Sequence, residues 1–215
     1  MTASRREGIL ARRFEEPDVR QRRLFELAVS VLGLVILGPL LGIIAILVKL
    51  ESPGPVFFVQ KRIGRFERLF NVIKFRSMRE PEAGEETLPA IDNIDTFRFR
   101  PPNFEARVTS IGRVLRLTSL DEIPNLLNVI RGEMHLVGPR PDEPEIVSQY
   151  RPEYHRRHRV KPGITGLAQV SGRSSLTYQE IMAYDLDYAE RHPFTRDMQI
   201  LLKSFGVVFR KEGAR

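Results

Sequence analysis

One uncharged run, LAVSVLGLVILGPLLGIIAILV at residues 27–48, constrains this chain more than any other feature. It matches the roughly 20 apolar residues that cover the hydrocarbon of a bilayer, so a membrane helix is expected. A signal peptide fits poorly, because its apolar core is about 7–15 residues long and ends in a small-residue cleavage site. Here Lys49 and Ser-Pro-Gly-Pro follow instead. Arg20, Arg22 and Arg23 precede the run, and Lys49, Lys61, Arg62, Arg65 and Arg68 follow it. By the positive-inside rule both ends face the cytoplasm. Pro39, next to Gly38 near the middle, removes a helical hydrogen bond and clashes with the preceding turn. The expectation is a re-entrant helix over residues 22–51, kinked at Pro39. A straight span with a tolerated proline is the alternative, and flanks and proline alone leave both open.

At 215 residues the chain holds one ordinary domain and an appendage. The division expected is a basic arm at 1–21, the membrane helix at 22–51 and a catalytic domain at 52–215. Lys and Arg number 34 against 27 Asp and Glu, a net charge of +7, which suits anionic partners: phosphorylated metabolites, nucleic acid or an acidic leaflet. The absence of cysteine excludes disulfides, a thiolate nucleophile and a cysteine zinc site.

Past the membrane run, PVFFVQKRI and RLFNVIKFRSM are rich in strand formers and separated by Gly-Arg-Phe-Glu, the pattern of a β-hairpin. Phe70, Val72, Lys74 and Arg76 then share one face, where Lys74 and Arg76 would hold a phosphate together. The alternative is an exposed edge kept from aggregating by its basic residues. Residues 80–106 lack periodicity and read as a long loop. SIGRVLRLT reads as a short basic helix with Arg113 and Arg116 one turn apart. Thr177 and Glu180 form a capping-box pattern ahead of a helix that stops at Pro193. An amphipathic segment follows, with Ile200, Leu201, Phe205 and Val208 facing a core or a bilayer surface.

The stretch TSLDEIPNLLNVIRGEMHLVGPRP carries the chemistry. Pro124 is tolerated only in a first helical turn, which makes Asp121 the expected N-cap, with the helix ending at Gly132. Capping and dipole compensation alone would account for Asp121 and Glu122 without any reaction. Against that stand three arginines beside turn-forming or conformationally restricted residues: Arg116, Arg140 between Pro139 and Pro141, and Arg173 in Ser-Gly-Arg-Ser. Such framing suits phosphate recognition. An Asp next to a phosphate and a divalent cation is also a known covalent nucleophile, and Mg²⁺ favours one or two carboxylates plus phosphate oxygens.

In order along the chain, the proline-broken helix, SPGPVFFVQKRIG, NVIKFRSM, LTSLDEIPNLLNVIRGEMHLVGPRP and RVKPGITGLAQVSGR resemble the bacterial sugar transferases, the monotopic polyprenyl-phosphate phosphoglycosyl transferases. The resemblance covers about residues 22–205 and omits the N-terminal arm and the acidic loop. It implies an α+β fold: a re-entrant membrane helix, a small cytoplasmic domain with a β-hairpin, and interfacial amphipathic helices. It also implies transfer of sugar 1-phosphate from a UDP-sugar to undecaprenyl phosphate at the bacterial inner membrane, on its cytoplasmic face, with UMP released. By position Asp121 would be the nucleophile and Glu122 its assistant, both with Mg²⁺. Arg116 and Arg173 would lie near phosphate, and Pro139, Arg140 and Pro141 would bind the nucleotide sugar. The chain lacks the extra N-terminal spans of larger relatives, as a minimal catalytic form would. The sugar, the glycan pathway and homo-oligomer formation are left open.

His155 and His158 in YHRRHRV are three apart and would share a helical face as metal ligands. No third ligand stands nearby in sequence, and the stretch reads as a basic solvated face. KPGITGLAQVSGR lacks the P-loop pattern and reads as a looser substrate loop. Two rivals remain. A membrane-tethered module for nucleic acid or another anionic polymer calls for a basic stripe with stacking aromatics, an interleaving not found in the soluble part. A non-catalytic scaffold calls for a damaged Asp-Glu pair, and this one is intact.

Overall fold

Helix α1 (Val19–Glu51) changes character along its length. Arg22, Glu26 and Ser30, spaced four apart and so on one face, are buried against the rest of the protein. Ile44 and Val48, again four apart, are buried at the other end. Between them no side chain is buried, and Leu32, Val35, Ile36, Leu40 and Ile43 are exposed. Pro39 lies inside this bare stretch within a continuous helix. The computed structural model describes residues 19–82, 91–98, 104–172 and 175–210. Most of the expected basic arm therefore falls outside the described residues, and the helix starts three residues before its expected boundary.

Both ends of α1 are held by the same body. Arg22 pairs with Asp197 at 2.8 Å and donates to the His192 carbonyl, while Arg23 donates to the carbonyls of Val129 and Ile130 at 2.6 and 2.7 Å. Glu26 accepts from the Leu136 N–H and contacts His135 Nδ1. At the other end the Glu51 carboxylate accepts the Ile111 N–H at 3.0 Å. Arg22 and Arg23, read from sequence as topology signals, are thus structural side chains.

Strands β1 (Phe57–Ile63) and β2 (Leu69–Phe75) form the expected antiparallel hairpin, Gln60 opposite Val72 and Phe58 opposite Lys74. Its turn is a 3-10 segment, Arg65–Glu67, in which Phe66 and Glu67 take left-handed φ values of 54° and 62°. The free edge of β2 is covered by amides: Asn125 Oδ1 accepts the Ile73 N–H at 3.0 Å, and Asn128 Nδ2 donates to the Asn71 carbonyl at 2.7 Å. A two-stranded ribbon is marginal alone, and these bonds make it part of the domain.

The remaining elements are α2 (Phe104–Arg107), α3 (Ser110–Thr118), a 3-10 segment Leu120–Asn125, α4 (Leu126–Arg131), β3 (His135–Val137), α5 (Pro144–Val147), a 3-10 segment Tyr154–Arg159, β4 (Gly163–Thr165), α6 (Leu167–Ser171), α7 (Tyr178–Glu190) and α8 (Phe194–Arg210). The result is a mixed helix and sheet architecture with an N-terminal apolar helix. Gly132 ends α4 at φ 80°, as expected for a left-handed cap. The Thr177/Glu180 capping box opens α7.

The parallel pair β3–β4 has no counterpart in the sequence reading; it sets His135 opposite Gly163 and Val137 opposite Thr165. A Cβ at Gly163 would lie 2.0 Å from the Gly138 nitrogen, so glycine is required by this close backbone approach. The 80–106 loop also differs from expectation, since Ile94 and Phe97 are buried with Tyr154, Tyr178 and Met182, and α2 forms at its end. On α8, Ile200 enters the main core while Phe205 is exposed; the Val208 side chain lies outside the described residues.

Candidate active site

Helix α3 ends at Ser119, whose left-handed conformation (φ 57°) turns the chain directly into the 3-10 segment Leu120–Asn125. Ser119, not Asp121, occupies the N-cap position, and Asp121 and Glu122 lie in the first turn. The expected capping role of Asp121 is therefore replaced. Pro124 shortened the start into 3-10 geometry, and α-helix begins only at Leu126. Asp121 is 7% exposed, and among the described residues no side chain or backbone group hydrogen-bonds its carboxylate.

Glu122 is treated oppositely. Its Oε1 is 2.7 Å from Lys74 Nζ and 3.0 Å from Arg140 Nη1. Burial would raise its pKa, but the charges of Arg140 and Lys74 and their hydrogen bonds hold it far below the usual carboxylate range. Asp121 is raised, first by burial and then by the charge of Glu122, with Lys74, Arg116 and Arg140 opposing. Burial and then Arg140 lower Lys74, while Glu122 raises Arg140. Two adjacent carboxylates are thus driven apart in character, the usual sign of divided roles in a reactive site.

Lys74 reaches this point because β2 alternates: Phe70 and Val72 enter the core on the same face, and Lys74 continues it to the rim. Lys74, Glu122 and Arg140, with Arg62, Gly163 and Ile164, line a cleft of roughly 290 Å³ that is open to solvent. Pro141 also lines it. Pro139 is buried, and its carbonyl accepts the Gly163 N–H at 2.9 Å, so KPGITG does border the cleft as a backbone wall.

Arg76 does not join Lys74. It lies just past β2, 3% exposed, and donates to the carbonyls of Val48, Ser52 and Pro53 at 3.2, 2.7 and 2.9 Å. It closes the C-terminal end of α1, whose last carbonyls have no helical partners. The expected joint hold on phosphate by Lys74 and Arg76 is thus not assembled here, because the Arg76 guanidinium is taken up by these carbonyls. Arg116 sits on α3 with Nη1 3.8 Å from Met78 Sδ, near enough for its charge to act on Asp121. Arg173 lies outside the described residues.

The sequence reading missed the support behind Arg140. Arg157, 2% exposed, donates from Nη2 to the Arg140 carbonyl at 2.6 Å and from Nη1 to Tyr150 Oη at 2.6 Å. It also pairs with Asp142 and, at 2.6 Å, with Asp185. Tyr150 and Tyr178 both donate to Asp142. Burial and Arg157 together push His158, its neighbour, down to about 4. The Tyr154–Arg159 segment, expected as a solvated face, therefore buries Tyr154, Arg157 and His158. Only the restricted Pro-Arg-Pro sequence hinted that a clamp was needed.

The family model for bacterial sugar transferases matches residues 18–211. The chain is 41% identical over 205 residues to an undecaprenyl-phosphate glucose phosphotransferase of Komagataeibacter xylinus, covering 90% of this chain and 37% of that protein. It is 40% identical over 195 residues to a UDP-glucose:undecaprenyl-phosphate glucose-1-phosphate transferase of Caulobacter vibrioides, covering 87% and 68%. It is 37% identical over 207 residues to the exopolysaccharide production protein ExoY of Rhizobium meliloti, covering 90% and 87%. A match over nearly the whole described chain, with Glu122, Lys74 and Arg140 lining one cleft and Asp121 next to Glu122 in the chain, means that the chain belongs to the bacterial sugar transferase family.

Proposed function

We propose that this protein transfers sugar 1-phosphate from a UDP-sugar to undecaprenyl phosphate, with Asp121 as covalent nucleophile. The observation that carries this reading is the buried Asp121 carboxylate, which has no hydrogen-bond partner among the described residues, beside a Glu122 already neutralised by Lys74 and Arg140. The names of the relatives support the donor and acceptor, and UDP-glucose is the first donor to test.

Asp121 Oδ attacks the β-phosphorus of the donor, the bond to the bridging oxygen breaks, and UMP leaves with that oxygen. An oxygen of the lipid phosphate then attacks the same phosphorus, and the acyl phosphate bond returns its electrons to Asp121. Arg140 and Lys74 reduce the repulsion between carboxylate and diphosphate, which is where electrostatic catalysis contributes most. Arg116, whose charge also acts on Asp121, adds to this.

The donor set also fits Mg²⁺. Asp121 and Glu122 are hard oxygen donors, and both cation contacts of Glu122 fall on Oε1, leaving Oε2. When bound there, the ion would polarise the diphosphate oxygens. Helix α1 is read as re-entrant from the cytoplasmic face of the inner membrane. In support, both of its ends are tied to one body while its middle is bare and apolar. That arrangement brings the cleft toward headgroup depth, where the lipid phosphate lies.

The test is intact-protein mass after incubation with Mg²⁺ and UDP-glucose or UDP-galactose, without acceptor, for wild type and Asp121→Asn. A phospho-sugar adduct on wild type alone, discharged by undecaprenyl phosphate with UMP in equal amount, is expected. UMP release by Asp121→Asn at the wild-type rate would refute the assignment.

A further inference from the structure

A second cluster of ligand atoms lies away from the cleft, where the hairpin turn meets the Tyr154–Arg159 segment. Glu67 Oε1 is 2.6 Å from His155 Nδ1 and 3.5 Å from His158 Nδ1, and one ligand atom from each residue falls within 4.8 Å of the others. Two local conformations produce this. The left-handed pair Phe66 and Glu67 turns the Glu67 side chain toward the segment. A 3-10 helix has about three residues per turn, so His155 and His158 stand one above the other. Arg65 fastens the two parts, lying over the Phe66 ring at 4.7 Å and donating to the Arg159 carbonyl at 3.0 Å.

His158 supplies the independent sign of a ligand. It is 7% exposed, stacked on Tyr150 with centroids 5.8 Å apart, and its buried Nδ1 meets only the Glu67 carboxylate, at 3.5 Å, too long for a good hydrogen bond. A buried polar atom left in that state is costly, and such atoms are normally satisfied. The carboxylate it faces is Glu67, and a cation between them satisfies both. We propose that Glu67, His155 and His158 form a site for a transition-metal ion of the Zn²⁺ class, with water as fourth ligand. Two imidazoles and a carboxylate are a recognised zinc set. Bonds of about 2.0–2.1 Å in tetrahedral geometry set ligand atoms roughly 3.3 Å apart. The His158 to Glu67 distance already meets this, and the His155 to Glu67 contact opens by about 0.7 Å to meet it. His155 and Glu67, 39% and 50% exposed, provide the entry path.

The site is chemically distinct from the oxygen donors at Asp121 and Glu122, since imidazole selects transition metals over Mg²⁺. Its role is structural. It joins the turn of the ribbon that carries Lys74 to the segment that carries Arg157, and so fixes the two supports of the cleft relative to each other.

The test titrates the full chain in detergent, stripped by chelator and held in excess Mg²⁺, with Zn²⁺ against a chromophoric competitor. One equivalent bound at micromolar or tighter affinity is expected, with a rise in melting temperature. Glu67→Gln and His155→Gln, at exposed positions, each weaken binding by at least tenfold and abolish the rise, while Asp121→Asn/Glu122→Gln keeps both. Equal binding by Glu67→Gln and His155→Gln, loss confined to Asp121→Asn/Glu122→Gln, or no binding at submillimolar Zn²⁺ would each overturn the proposal.

Discussion

Arg157 Nη2 lies 2.6 Å from the carbonyl oxygen of Arg140, so one buried guanidinium holds the backbone of the arginine whose own side chain reaches Glu122. The cleft cation is positioned from behind.

Arg157→Met removes that hold and strands Asp142 and Asp185 without their cation. Breaking a buried pair from one side costs about 3–5 kcal/mol. Denaturant melts should show this loss, and any folded fraction should show a raised KM for the nucleotide sugar. Arg157→Lys, which keeps the charge but loses the fork, should recover stability more than KM. Equal recovery of both would mean that Arg157 does not position Arg140.

Arg76→Met separates capping from phosphate binding. Loss of its bonds to three carbonyls at the end of α1 should cost about 2–3 kcal/mol, because hydrogen bonds to charged groups are the stronger kind. The donor KM should stay within twofold of wild type. A tenfold rise in KM at unchanged melting temperature would return Arg76 to the substrate.

Asn128→Ala leaves the Asn71 carbonyl and Glu133 without their donor. A destabilisation of about 1–3 kcal/mol is expected from the unsatisfied groups. Hydrogen exchange should quicken along β2 before it quickens in α7. Uniform acceleration would argue against a local role.

Asp185 gives the protein a pH signature. Burial raises its carboxyl to about 6, although Arg157 pulls it down. The unfolded chain titrates near roughly 3.9. The folded state therefore holds an extra proton between about pH 4 and 6, and stability from this group is full below that window and lost as pH rises through it. Asp185→Asn cannot titrate and should flatten the profile there. Parallel profiles for wild type and variant, in melts stepped from pH 4 to 8, would sink the claim.

Local chemistry was legible in the sequence. The hairpin, the Gly132 cap and the Thr177/Glu180 box each depend on neighbours a few residues away. The Asp-Glu pair and Arg140 were also found, because a motif marked them. Arg76 was misplaced because strand alternation gives a face but not where a long side chain ends. Arg157 and His158 were misread because burial there depends on Tyr150, Tyr178 and Asp185, which only the tertiary fold brings close. The β3–β4 pair joins segments too short to announce themselves, across a separation of 28 residues.

The amides of Asn125 and Asn128 make β2 a ruler laid beside the reactive pair. Strand side chains alternate with a period of two, so sliding β2 by one residue would present Phe75 or Ile73 where Lys74 now stands. Glu122 would then face hydrocarbon on one side and keep only Arg140. A single inserted or deleted residue between Arg68 and Phe75 should therefore silence the protein more thoroughly than most substitutions in the cleft, although it touches no reacting group.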